Sequence, residues 1–222
     1  MISVSDLKKL VPSTPTKTLQ EFVDNFNKFA SKYGIDTLSR VSSFVGNSAI
    51  ESFIKPIKEI GGKDYFIRMY WNNQKKAKEL GNLSPQDAVK FSGKGYIQVT
   101  GRNNYKAISQ KLFGDDRLLS NPDILLQPKY ALLSAFEWWK MNGMNEVSDK
   151  YGIKGVASKI NTGSPLKTPK ALPERIKAYN TIFELLKKKR SLPIQPKQQQ
   201  TNKNNNTFFG FDFSWLFAPK KI

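Results

Sequence analysis

The stretch FSGKGYIQVTGRNNY, residues 91–105, sets three glycines, a glutamine, a threonine and two neighbouring asparagines around one short apolar run. A protein core does not need that mixture, but a cleft that holds a polymer does. Gly93 and Gly95 let the main chain approach a ligand or another segment closely. Gln98 and Thr100 alternate along YIQVT. In an extended segment they share one face, and Ile97 and Val99 take the other. A polar face opposite an apolar one suits a saccharide trough, where hydroxyls need both donors and acceptors. An edge strand followed by a turn carries the same pattern, so the stretch alone leaves both readings open.

The rest of the chain narrows the chemistry. Its 222 residues suffice for one sizeable core and a small appendage. There is no cysteine, which excludes disulfides and thiolate metal sites, and no histidine, which excludes Ser-His and Cys-His nucleophile pairs. Acid–base work near neutral pH falls to carboxylates, lysine or tyrosine. No cofactor or metal is expected. Lys and Arg number 36 against 18 Asp and Glu, a formal charge of +18, which calls for an anionic partner or surface. The lysines are spread along the chain without a nucleic-acid-reading motif, so no nucleic-acid partner is expected. No transmembrane segment is expected, and the N-terminus MISVSDLKKL lacks the apolar centre of a signal peptide.

Outward from the opening stretch the pattern is mostly helical. Apolar spacing predicts helices over 19–33, 37–54, 64–80 and 104–113. It predicts a further helix from Pro128 with Tyr130, Leu133, Phe136 and Met141 facing inward, and another over 147–160. A last helix runs from Pro173 to Lys189 with a stripe of Ile176, Tyr179, Phe183 and Leu186. The expected fold class is mainly α with one small β element (α+β). From Ser191 the composition turns to Gln, Asn and Pro, which predicts a disordered linker over 191–207. The end, 208–222, is rich in aromatics. It either folds back on the domain or is a tethered peptide that docks on another protein or a membrane surface.

Two carboxylates fall near one turn. Glu51 lies on the side of the second helix marked by Phe44 and Ser48. An acid there is partly stripped of water, and a protonated carboxyl group is what a glycosidic leaving group requires. Helical spacing is equally served by a solvated glutamate at the helix boundary. Glu59 follows the break at Pro56 and either faces the same groove or pairs with Lys55 or Lys63.

The opening stretch closely resembles the signature F-x-G-R-G-x-I-Q-L-T-G-R-x-N-Y of the glycoside hydrolase family 19 chitinases and related bacteriophage endolysins. GNLSPQDAVK, NPDILLQPKYALLSAFEWWKMNGMN, SKINTG and YGIDTLSRVSSFVGNSAIES resemble further segments of that family, in family order, over residues 1–190. The resemblance implies a bilobal, lysozyme-like fold with a long substrate cleft. It also implies inverting hydrolysis of a β-1,4 bond in an N-acetylglucosamine polymer. By position, Glu51 would be the general acid, Glu59 the base, and Thr100 the hydroxyl that holds the attacking water. Gln98, Asn104 and Asn161 match sugar-binding residues, Tyr96 is grouped with them, and Arg175 lies where a cleft arginine is expected. The sequence departs from the family at Ile50, which replaces a histidine, at Phe53-Ile54, which replace Gly-Gly, and at Thr162, which replaces a glycine.

The resulting expectation is a cell-wall hydrolase of the phage endolysin or virion-lysin type. It would be made in the host cytoplasm or carried in the virion, would cut the peptidoglycan glycan strand, and would contact a phage structural protein through 208–222. A chitinase and a catalytically weakened structural protein that keeps the fold are the alternatives.

Overall fold

The computed structural model describes residues 1–191. The chain opens with α1 (Val4–Lys8). Ser3 caps this helix by accepting from the Asp6 N–H, while the Asp6 carboxylate accepts from the Ser3 N–H at 2.8 Å. α2 (Thr16–Phe29) tightens into a 3-10 turn (Ala30–Tyr33), and α3 (Leu38–Ser52) follows, capped by the Thr37 hydroxyl. Next come β1 (Ile57–Lys58), α4 (Lys63–Ile67), a π-helical turn (Arg68–Asn72), α5 (Gln74–Leu80), α6 (Pro85–Lys90) and β2 (Lys94–Gly95). α7 (Arg102–Phe113), α8 (Arg117–Ser120), a 3-10 turn (Pro122–Leu126), α9 (Pro128–Met141), α10 (Met144–Thr162) and α11 (Leu172–Ser191) complete it. Among the described residues the architecture is mainly helical with one small antiparallel β element, as the sequence predicts. The linker and aromatic tail lie outside the described residues, apart from Ser191 at the end of α11.

Phe44 of α3 stands at the centre of the core. Its ring meets Phe136 at 4.9 Å, Trp139 at 5.3 Å and Phe26 at 5.8 Å between centroids, so α3 is clasped by α2 and α9. This packing fixes the axis of α3, the helix that carries Glu51 in its last turn.

On the opposite side of α3 the contact is of another kind. A Cβ at Gly46 would lie 2.9 Å from the Tyr179 nitrogen and 3.2 Å from its Cα. α11 therefore rests on α3 nearly backbone to backbone, and only glycine leaves room. This contact explains why the buried face of α11 is Arg175, Ala178, Ile182 and Leu186. Of the stripe expected from apolar spacing, Leu186 is buried but Ile176, Tyr179 and Phe183 are only half buried, because small Ala178 and long Arg175 fit the close approach where large side chains do not. α9 deviates in the same way. Ala131, Leu132, Ala135, Phe136 and Trp139 are buried, while Tyr130 and Leu133 are half-buried and Met141 is exposed.

The 64–80 segment is not one helix. It passes through the π-turn and restarts at Asn73, whose side chain caps α5 by accepting from the Lys76 N–H at 3.1 Å. α10 is bent at Gly152, which has φ 60° and ψ −158°. YIQVT is also not an extended strand. Lys94 and Val99 exchange main-chain hydrogen bonds at 3.2 and 3.0 Å, and residues 95–98 form the turn between them. Gln98 is left-handed with φ 57°, so the face-to-face alternation of Gln98 and Thr100 does not occur.

Candidate active site

α3 places Asn47 and Glu51 one turn apart on the same face. Arg175, in the first turn of α11, reaches both. Its Nη2 donates to Glu51 Oε1 at 2.6 Å, its Nη1 to Asn47 Oδ1 at 2.7 Å, and its Nε to the Lys170 carbonyl at 3.1 Å. The Arg175 side chain is 4% exposed and that of Glu51 17%. A buried guanidinium is retained only when its donors are matched, and here three of them are. Glu51 Oε2 takes no protein partner among the described residues. Asn47 is in turn oriented by its own amide, which donates to the Ser43 carbonyl at 2.8 Å.

The chain then turns sharply. Phe53 (φ 53°) and Ile54 (φ 54°) are both left-handed, and their N–H groups close the helix end on the Ala49 and Ser48 carbonyls at 3.1 and 3.3 Å. Ser52 Oγ donates to the Tyr96 carbonyl at 2.9 Å, tying the end of α3 to the tip of the β-turn. β1 leaves this corner and pairs with β2 in the register Ile57↔Gly95 and Lys58↔Lys94.

Glu59, the next residue, is held by two neutral donors. Gly93 N–H donates to Oε2 at 2.9 Å and Tyr70 Oη to Oε1 at 2.7 Å. Burial, reinforced by Glu59, pushes the Tyr70 hydroxyl far above the ordinary phenol range, so it stays a donor. A Cβ at Gly93 would lie 2.8 Å from Gln98 Oε1 and 3.1 Å from Glu59 Oε2. Beneath this corner, burial brings the Lys94 ammonium down to about 8, with Lys58 acting in the same direction. Its Nζ donates to the Lys90 carbonyl at 2.8 Å and lies 5.5 Å above the Tyr105 ring.

The residues expected to bind sugar shape the backbone of the corner. Gln98 Nε2 donates to the carbonyls of Gly95 at 2.8 Å and Ile57 at 3.1 Å, which pins the turn to β1. Thr100 Oγ1 donates to the Gln98 carbonyl at 2.9 Å, and Asn104 Nδ2 to the Thr100 carbonyl at 2.7 Å. Asn161 Oδ1 accepts from the Lys170 N–H at 2.9 Å, on the loop whose carbonyl Arg175 binds. Tyr96 belongs elsewhere. It is fully buried with its ring edge-on to Phe22 at 4.9 Å, so it is a core residue that does not line the surface.

Hydrogen bonds thus connect the end of α3, the β-turn and β1 into one corner, and α11 adds Arg175. Two residues of this constellation escape sequence reasoning. Asn47 carries a readable signal, a polar side chain one helical turn before Glu51. Tyr70 carries none, since its hydroxyl reaches Glu59 through the irregular π-turn. Two grooves lie away from this corner. One, of about 610 Å³, runs along Lys154, Leu172 and Ile176, and another, of about 310 Å³, lies by Ile2, Phe26 and Leu186. Neither is lined by Glu51 or Glu59.

Among solved structures, chitinase C from Streptomyces griseus superposes with a TM-score of 0.57 at 19% identity, covering 84% of this chain and 76% of that one. The fold is shared with family 19 chitinases. A point mutant of chitinase C gives a TM-score of 0.60 at 17% identity, with 84% and 92% covered. A bacterial family 19 chitinase gives 0.54 at 19% identity, with 83% and 94% covered. No family model and no curated protein sequence matches the chain. The mostly helical architecture of residues 1–191 is thus the lysozyme-like one of these neighbours.

Proposed function

We propose that this protein hydrolyses β-1,4 glycosidic bonds in an N-acetylglucosamine-containing wall polymer, with Glu51 as general acid and Glu59 as general base. One observation carries the reading. Glu51 and Glu59 sit on a single hydrogen-bonded corner, the first held by a buried cation and the second by two neutral donors. In the reaction the Glu51 carboxyl group gives its proton to the departing glycosidic oxygen as the C–O bond breaks. Arg175 then stabilises the carboxylate that remains. Glu59, an acceptor-only carboxylate held by Tyr70 and Gly93, takes a proton from water. The water oxygen bonds to the anomeric carbon from the opposite face, so configuration inverts. Thr100 orients that water, and Gln98, Asn104 and Asn161 contact the sugars flanking the scissile bond. Solvent returns Glu51 and Glu59 to their starting protonation states.

The charge of +18 supports peptidoglycan in its anionic wall over neutral chitin, whereas the similar solved structures are those of chitinases. A phage lysin that reaches the wall from the host cytoplasm or the virion, with the tail 208–222 bound to a phage structural protein, is the setting this reading adopts. Mass spectrometry of purified sacculi and of chitin hexasaccharide after digestion tests the reaction and names the bond. Wild type should release new reducing ends and Glu51→Gln none. Products from chitin alone would assign a chitinase. Equal turnover by the variant would remove Glu51 from the acid role. A second reading, a glycan-binding protein without turnover, draws on the bulky left-handed pair Phe53-Ile54, two residues beyond Glu51. It predicts retention on sacculi with no product.

A further inference from the structure

Phe53 and Ile54 are the feature that the proposed chemistry does not use. Both occupy the left-handed region, with φ 53° and 54°, which side chains with a Cβ rarely adopt and which is most unfavourable for a β-branched residue such as Ile54. The two are fixed from either side. Thr14, fully buried, donates its hydroxyl to the Phe53 carbonyl at 2.8 Å, and the Ile54 side chain is completely buried. The corner is therefore pinned, and glycine at position 53 would satisfy its backbone with less strain. Yet Phe53 carries a phenyl ring that is 58% exposed. A ring kept in an unfavourable conformation and left largely in water contributes little to the core.

Phe53 also lies two residues beyond Glu51, within about 7 Å along the chain. We propose that Phe53 is a sugar platform, with its ring stacking on the apolar face of the pyranose next to the bond that Glu51 protonates. The inference rests on the glycan-hydrolase reading and adds a specificity-determining residue to it. An aromatic face suits a pyranose because the axial C–H groups of the sugar are apolar while its equatorial hydroxyls stay hydrated. The pinned main chain fixes the direction of the Phe53 Cα–Cβ bond before the ligand arrives, which lowers part of the cost of ordering the ring on binding.

The test uses full-length protein. Binding of chitin hexasaccharide and of soluble peptidoglycan strands is measured by calorimetry in the Glu51→Gln background, and kcat and KM are measured in the active protein. Phe53→Gly should weaken binding and raise KM about tenfold with kcat within about twofold, because only ground-state stacking is lost. Its melting temperature should stay within about 3 °C of wild type, as relief of the left-handed strain offsets the packing lost. Phe53→Tyr should restore binding. Unchanged binding and KM in Phe53→Gly would overturn the platform while leaving the hydrolase reading intact. So would a collapse of its melting temperature, which would make the ring part of the core. If wild type neither binds nor cleaves either glycan, the hydrolase reading fails and the platform with it.

Discussion

Glu59 and Gly93 hold each other at both ends. The Glu59 N–H donates to the Gly93 carbonyl at 2.8 Å, and the Gly93 N–H donates to the Glu59 carboxylate at 2.9 Å. The first bond continues the β1–β2 ladder and the second turns the side chain back onto it. The proposed base thus takes its position from main-chain geometry, and Tyr70 contributes the other donor.

Gly93→Ala tests that dependence. The new Cβ would fall 2.8 Å from Gln98 Oε1 and 3.1 Å from Glu59 Oε2, and Gln98 cannot yield without releasing the two carbonyls it holds. The carboxylate should shift, and kcat should drop about 10- to 100-fold with the fold retained. Steady-state kinetics beside thermal melting checks this, and an unchanged kcat would show that the position of Glu59 does not govern the rate.

Arg175→Lys should be far from conservative. One ammonium cannot serve Glu51, Asn47 and the Lys170 carbonyl together, although the charge is kept. Urea unfolding should show a loss of about 2–3 kcal/mol from the unpaired buried groups. Glu51→Gln keeps a side-chain oxygen that can accept from the guanidinium, so it should lose less stability than Arg175→Lys.

Tyr96 separates core from site. Tyr96→Phe should leave kcat and KM unchanged because the residue has no exposed surface. Tyr96→Ala should cost about 3–5 kcal/mol by opening a cavity against Phe22. A raised KM in a fully stable Tyr96→Phe protein would return the residue to the binding surface.

Lys94 gives the fold a pH dependence of definite sign. Its folded-state value is about 8, against an ordinary lysine value near 10.5. Between these values the unfolded chain holds a proton that the folded chain has lost. Stability therefore rises with pH across that window, by up to about 3 kcal/mol, and the gain is lost as pH falls back through about 8. Denaturant unfolding at pH 7.5–10.5 checks it (roughly the linkage window). Lys94→Met should flatten the difference, and an identical slope in wild type and variant would remove Lys94 as its source.

Much of this was legible in the residues, though unevenly. The helices around Phe22, Phe44 and Phe136 follow from apolar spacing, because large side chains at helical intervals must be covered. Spacing failed where small residues decide the contact. No hydropathy pattern selects Ala178 and Arg175 over Ile176 and Tyr179, since that choice was made by Gly46 on another helix. It failed again at YIQVT, where composition suits a strand but a left-handed Gln98 closes a turn. Glu51 and Glu59 could be nominated from the chain, whereas Tyr70 could not, because a side-chain bond across an irregular turn leaves no periodic trace.

The bare α-carbon at Gly46 reaches further than its size suggests. By letting two main chains touch, it leaves α3 and α11 no freedom to slide, so Arg175 stays in register with Glu51. A single added methyl group there would wedge the helices apart and lengthen a charge contact more than a turn away. The reach of that contact is set by an atom the sequence omits.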